Sequence, residues 1–341
     1  MNSVNTSTYF PETTPPHCVT ARRSPPEIVT IRREVNLTPR TIDPFSSHGI
    51  PARSSYFVLL VAAMLTAFWT PLTTLLQFSF RHQHYSHIVL VPLVSGALLI
   101  LERRRIFSRV KTDWLAGPGL LAAGALLYAL RQRQPASMSV NDQLSLTVVS
   151  FLLIVLGGFV LCYGLHAARA ASFPLLFLFL MVPIPDFLLH RTITWLQAGS
   201  AEVSHVLFQL AGVPVLRTGF TFSMPGVTIE VAEECSGIRS SLALLVTSLL
   251  IGHLTLRSIW AKAALILATL PVLIIKNGIR IATLSILAIY VDPRFLDGNL
   301  HHRGGIVFFI FALAFLALFL WFLKKSESRL RTIPVEALRN S

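Results

Sequence analysis

Residues 230–252, EVAEECSGIRSSLALLVTSLLIG, place a cysteine at the polar mouth of an apolar run long enough to start a membrane helix. A thiol in that position lies where a helix exposes unpaired amide groups, and the positive end of the helix dipole favours the thiolate, the form that does chemistry. Arg239 follows Cys235 four residues later, on the same helical face. Further along, polar groups sit at the edges of two more apolar segments: Arg280 within KNGIRIATL, and the pair His301 and His302 before RGGIVFFIFALAFLALFL. A cysteine, an arginine and a histidine from consecutive membrane helices form the candidate site.

Composition supports the membrane reading. Of 341 residues, 53% are hydrophobic and only 13% charged, and the mean hydropathy is +0.64, outside the range of ordinary soluble domains. The net charge of +13 comes mostly from short basic runs beside apolar segments, the pattern of a topology signal, so no nucleic-acid partner is expected. The three cysteines, Cys18, Cys162 and Cys235, have no metal-ligand spacing, and an odd number leaves at least one thiol free.

Outward from the cysteine, the expected fold is an all-α polytopic membrane protein. Residues 1–54 are rich in Pro, Ser, Thr and Arg and read as a disordered basic cytoplasmic tail. The first apolar run begins near Tyr56 and lacks a small-residue cleavage site, so it is expected to be a retained helix and not a signal peptide. Eight spans are expected near 55–78, 86–101, 114–131, 144–165, 171–190, 236–254, 262–290 and 304–323, followed by a basic cytoplasmic tail over 324–341. An even number puts the basic groups around Arg53, around Arg103 to Lys111 and around Lys324 on one side, with both termini cytoplasmic. Arg131 and Arg133 fall outside on this count. Before the sixth span, ITWLQAGSAEVSHVLFQLAG (193–212) suits an amphipathic interfacial helix. After it, Phe220 to Val231 alternates around Met224-Pro225-Gly226 as a short hairpin.

Each candidate residue has a plainer alternative. Cys162, inside an apolar span, reads as inert filler. Glu233 and Glu234 suit a helix N-terminus yet disfavour a neighbouring thiolate, so a guanidinium is needed to tip the balance. Arg239 could simply pair with one of those glutamates, and Lys276 could snorkel or help neutralise a cavity. Arg280 is harder to explain structurally, because a buried arginine costs at least about 2.5 kcal/mol on lenient insertion scales. His301 and His302 have solvated interfacial loops as their default. His82, His84 and His87 have metal-compatible spacing but no carboxylate or thiol nearby; no metal and no cofactor is expected. The combination fits nucleophilic acyl transfer: a thiolate attacks an amide carbonyl, a histidine carries the proton, and an arginine stabilises negative charge.

The stretches EECSGIRSS, NGIRIATL and HHRGGIVFF, in this order at the starts or faces of successive helices, resemble the exosortase/archaeosortase family, over about 55–323. The resemblance implies a polytopic membrane cysteine transpeptidase with one cysteine, one arginine and one histidine. It assigns Cys235 as the nucleophile, Arg280 as the arginine of the Asn-x-x-Arg pattern begun by Asn277, and His301 as the histidine four residues before Gly305, with His302 as the alternative. Arg239, Asn277 and Glu234 are supporting candidates. The implied partners are secreted proteins with a C-terminal sorting signal, a Pro-Glu-Pro-like motif followed by a membrane helix and a basic end, together with membrane lipid. The implied location is the bacterial inner membrane, with the site on the extracytoplasmic face. Two rivals remain: a membrane acyltransferase or intramembrane cysteine protease with a different substrate, and a transporter or scaffold in which Arg239, Lys276 and Arg280 line a path for an anionic envelope precursor.

Overall fold

The computed structural model describes residues 49–81, 85–135, 137–224, 227–231, 237–292 and 305–331. They form a helical protein with one small sheet. Among the described residues, four helices are long and apolar enough to cross a membrane, or six spans if two sharply bent helix pairs each count as one. The expected count of eight includes segments whose helices are shorter than a bilayer.

The first bent pair is α1 (Gly49–Ala67) and α2 (Trp69–Arg81), which turn by 72° where one straight span over 55–78 was expected. Pro71 explains the bend, because its ring clashes with the carbonyl four residues back, at Ala67, where α1 stops. Next come α3 (Leu90–Leu101), only 12 residues long, the short α4 (Arg103–Ile106), and α5 (Ala116–Gln132). α6 (Val140–Ala170) is the central post, broken at Gly164, and packs against α1, α2 and α5.

The second bent pair corrects two expectations together. α7 (Ser172–Phe177) and a 3-10 turn over Leu178–Met181 end at Pro183-Ile184-Pro185, and the chain swings by 89° into α8 (Asp186–Leu210). A residue before proline is driven to extended backbone, as at Val182. The break therefore ends the expected fifth span early, and its last residues join the amphipathic helix as one 25-residue element. A polar cluster holds the break: Asn141 Nδ2 donates to the Ile184 carbonyl (2.7 Å) and to Asp186 Oδ1 (2.6 Å), while Tyr85 donates to Asn141 Oδ1 (3.1 Å). Burial, with the Asp186 charge nearby, pushes the Tyr85 phenol up to about 12.

After α8, the expected hairpin is a three-stranded antiparallel meander, β1 (Leu216–Thr218), β2 (Thr221–Met224) and β3 (Val227–Glu230). Pro225 and Gly226 of the expected turn lie outside the described residues. Phe222 and Met224 on its inner face pack with Phe208 of α8 and with Ile281 and Ala282 further along the chain.

Three helices complete the bundle: α9 (Ile238–Thr255), α10 (Ile259–Tyr290) and α11 (Gly305–Arg331). Leu244 of α9, Leu256 just after it, Leu265 and Leu273 of α10, and Ala312 and Leu316 of α11 share one core. Glu327 accepts the Ser258 backbone N–H at 2.8 Å, fixing the far end of α11 to the α9–α10 turn. α11 therefore runs parallel to α9. The same end of the bundle holds the Glu102–His253 pair (2.7 Å), with the His253 ring stacked on Phe173 at 3.7 Å.

Candidate active site

Beyond Lys262 in its first turn, the charged residues of α10 fall in one polar turn, at Lys276 and Arg280. At about 1.5 Å per residue its 32 residues extend some 48 Å, well beyond a ~30 Å hydrocarbon layer. Lys276 lies about 27 Å from the Ser258 end, roughly the length of the 18-residue α9. The Lys276, Asn277 and Arg280 turn thus comes level with the first turn of α9. Lys276 is 7% exposed and Asn277 1%, while Arg280 is half-buried. Lys276 and Arg280, four residues apart, share a helical face.

The first turn of α9 is built to meet them. Gly237 caps it in the left-handed region at φ 76°, a conformation costly for any residue with a Cβ. A Cβ there would also lie 3.0 Å from Asn277 Oδ1. The Gly237 carbonyl accepts from the Ser241 backbone N–H and from the hydroxyls of Ser240 and Ser241, each at 2.9 Å. Lys276 Nζ hydrogen-bonds to Ser240 Oγ, joining α10 to this turn.

α8 closes the third side. Asn277 Nδ2 donates to Ser200 Oγ at 3.0 Å, and Ser204 Oγ donates to the Gly278 carbonyl at 3.1 Å. The approach is close because Gly278 has no Cβ: one built there would lie 2.5 Å from Val203 Cγ1. One turn earlier, Gln197 Nε2 donates to the Val231 carbonyl at 2.9 Å, tying the end of β3 to α8. Both ends of the connection from β3 to α9, at Val231 and Gly237, are thereby held beside α8 and α10.

The expected site residues divide accordingly. Cys235, Glu234, His301 and His302 lie outside the described residues, as do His82 and His84 of the histidine group. Among those described, Asn277 and Arg280 share the polar turn of α10, and Arg239 is exposed on the first turn of α9. Ser200, Ser204, Gln197 and Ser240 were not singled out from the sequence. The signal for Ser200 and Ser204 was a run of small residues, Gly199-Ser200-Ala201 and Ser204, which on a membrane helix marks close packing and interhelical hydrogen bonds.

A multi-span helical bundle whose polar layer joins three helices beside a small sheet defines a multi-pass membrane protein. A family model described as transmembrane exosortase matches residues 79–318, and the chain belongs to that family. The match starts within α2, later than the stretch from 55 over which the resemblance was drawn. No curated protein and no solved structure matches the chain.

Proposed function

We propose that this protein is a membrane-embedded cysteine transpeptidase that cleaves the C-terminal sorting signals of secreted proteins at the outer face of a bacterial inner membrane and transfers them to an envelope acceptor. The observation that carries the reading is the meeting of the Arg280 turn with the first turn of α9. Cys235 precedes Gly237 by two residues, a length of chain that spans no more than about 7 Å. The nucleophile is therefore tethered to the capping glycine that Asn277 packs against.

In the proposed reaction the Cys235 thiolate attacks the scissile carbonyl, and Arg280 stabilises the negative charge on sulfur and then on oxygen. The C–N bond breaks, His301 gives its proton to the departing amine, and a thioester remains on the enzyme. The acceptor amine then loses its proton to His301 and attacks the thioester, releasing the Cys235 thiolate. No cofactor takes part.

Eight crossings, with α3 and the α7 segment as short ones, account for the basic end of the bundle. Arg103, Arg104, Arg105 and Arg257 flank the Glu102–His253 end, which the charge rule places in the cytoplasm. The Arg280 layer then faces outward.

The test is co-expression with a reporter bearing a Pro-Glu-Pro-type signal. Cys235→Ser, Arg280→Ala and His301→Ala are each expected to abolish processing while membrane insertion persists. Full cleavage by the Cys235 variant would refute the enzyme. A silent Cys235→Ala beside a defective Arg280→Ala would point instead to a transporter or scaffold.

A further inference from the structure

Lys276 is the group that this mechanism leaves unused. Its ammonium has three N–H donors, and among the described residues it makes one hydrogen bond, to the neutral hydroxyl of Ser240. It is 7% exposed on a helix that crosses the membrane, and Arg280, a second cation, lies one turn away on the same face. Ser240 is itself committed, since its hydroxyl donates to the Gly237 carbonyl. Among the described residues, the charges on the elements packed around Lys276 do not balance it. α9 contributes Arg239 at this level, the packed face of α8 contributes Gln197, Ser200 and Ser204, and α11 has no charged residue before Lys324. In sequence the nearest acidic residues are Asp292 and Asp297, after α10, and then Glu234 and Glu233, before α9.

A buried ammonium with donors to spare is a poor structural choice where methionine or glutamine would fill the same space, because unfilled buried donors and like-charge neighbours both destabilise. We infer that Lys276 is a further functional residue of the site, holding an oxygen anion that comes with the substrate and completes its hydrogen bonds. That anion is either a carboxylate of the bound peptide or the oxyanion formed when the scissile carbonyl is attacked. The inference rests on the peptide-processing reading for the identity of the ligand.

The experiment compares Lys276→Gln, Lys276→Arg and Ser240→Ala in purified full-length protein, using a synthetic peptide that carries the sorting signal. Lys262→Gln, in the first turn of the same helix, is the control. Lys276→Gln is expected to lower kcat/KM at least tenfold, with Lys276→Arg retaining most activity and Ser240→Ala keeping within about threefold of the parent. A change confined to KM identifies the peptide carboxylate, and one confined to kcat identifies the oxyanion. If Lys276→Gln stays within threefold of the parent, no anion is held there. If Ser240→Ala loses as much as Lys276→Gln, the lysine only clamps two helices, and the inference also fails. Peptide binding to the Cys235→Ser protein, with and without Lys276→Gln, needs no chemistry. Cleavage by Cys235→Ser would bring down the transpeptidase reading, whereas the kinetics of the Lys276 variants in otherwise intact protein decide this inference.

Discussion

Replacing Gly237 with alanine tests how tightly the site is built, because two separable costs fall on one Cβ. The first is the backbone: φ 76° and ψ 13° cost a residue with a side chain about 1–2 kcal/mol. The second is the contact with Asn277, whose Oδ1 would lie 3.0 Å and Cγ 3.2 Å from the new carbon. Asn277 cannot swing aside freely, since its Nδ2 is bound to Ser200 at 3.0 Å, and giving up that bond costs about 1 kcal/mol. Together Gly237→Ala should destabilise by about 2–3 kcal/mol. Gly237→Asn should cost less, because asparagine tolerates the left-handed region, and Gly237→Val more. In an Asn277→Ala background the contact disappears, so the double variant should show a coupling of about 1 kcal/mol. Chemical unfolding of the purified proteins in detergent measures the energies, and processing of the reporter should fall more steeply than stability because the strain lands on the turn next to Cys235. An alanine variant as stable and active as the parent, or a cost that Asn277→Ala leaves unchanged, would refute the reasoning.

Two further outcomes follow from the packing. Gly278→Ala should cost about 1–3 kcal/mol by overpacking, since the new methyl would meet Val203 Cγ1 at 2.5 Å, Val203 Cβ at 2.6 Å and the Ser200 carbonyl at 3.1 Å; Val203→Ala in the same chain keeps its Cβ and should recover little, whereas Val203→Gly removes the contact, as read by unfolding midpoints. Tyr85→Phe should cost about 1 kcal/mol by removing the hydrogen bond to Asn141. Asn141→Leu should cost more, because it unties Tyr85, the Ile184 carbonyl and Asp186 together, with limited proteolysis near 182–186 reporting the loosened break.

The membrane character and the long apolar helices were legible because hydropathy over some 20 residues is a local property of sequence. The polar turn of α10 was legible for a related reason: Lys276, Asn277 and Arg280 interrupt an otherwise apolar run. Bends were harder to read. Pro183 and Pro185 announced an interruption, but the 89° turn that joins the end of the expected span to the amphipathic helix depends on Asn141, some 40 residues earlier, holding the Ile184 carbonyl. Strand β1 escaped notice because three residues, Leu216–Thr218, are too few to show a period of two. The contribution of α8 was hidden for a different reason. Ser200 and Ser204 resemble filler in sequence, and only their placement against Asn277 and Gly278 gives their hydroxyls a purpose.

The depth of Arg280 brings these elements together. Counted from Tyr290, the end of α10, the guanidinium lies about 15 Å down the helix, too deep for a group meant to face a secreted substrate if that end marks the membrane surface. But the last ten residues of α10 do not pack like a lipid-facing segment: Ile281, Ala282, Ile286 and Ile289 pack in the core shared with Phe208, Phe222 and Val231 of the α8 and sheet unit. α9, whose first turn marks the top of the bundle at this side, begins level with Lys276. Under the proposed function the end of α10 projects beyond the membrane as a stalk for the sheet, which sets the arginine near the interface where water and a peptide can reach it. If so, Tyr290→Cys, at a position 65% exposed, in a chain lacking its native cysteines, should react with a membrane-impermeant maleimide in intact spheroplasts. Arg257→Cys, at the opposite end, should react only after lysis. Protection of position 290 in intact cells would return Arg280 to the hydrocarbon and remove the route by which a substrate meets it.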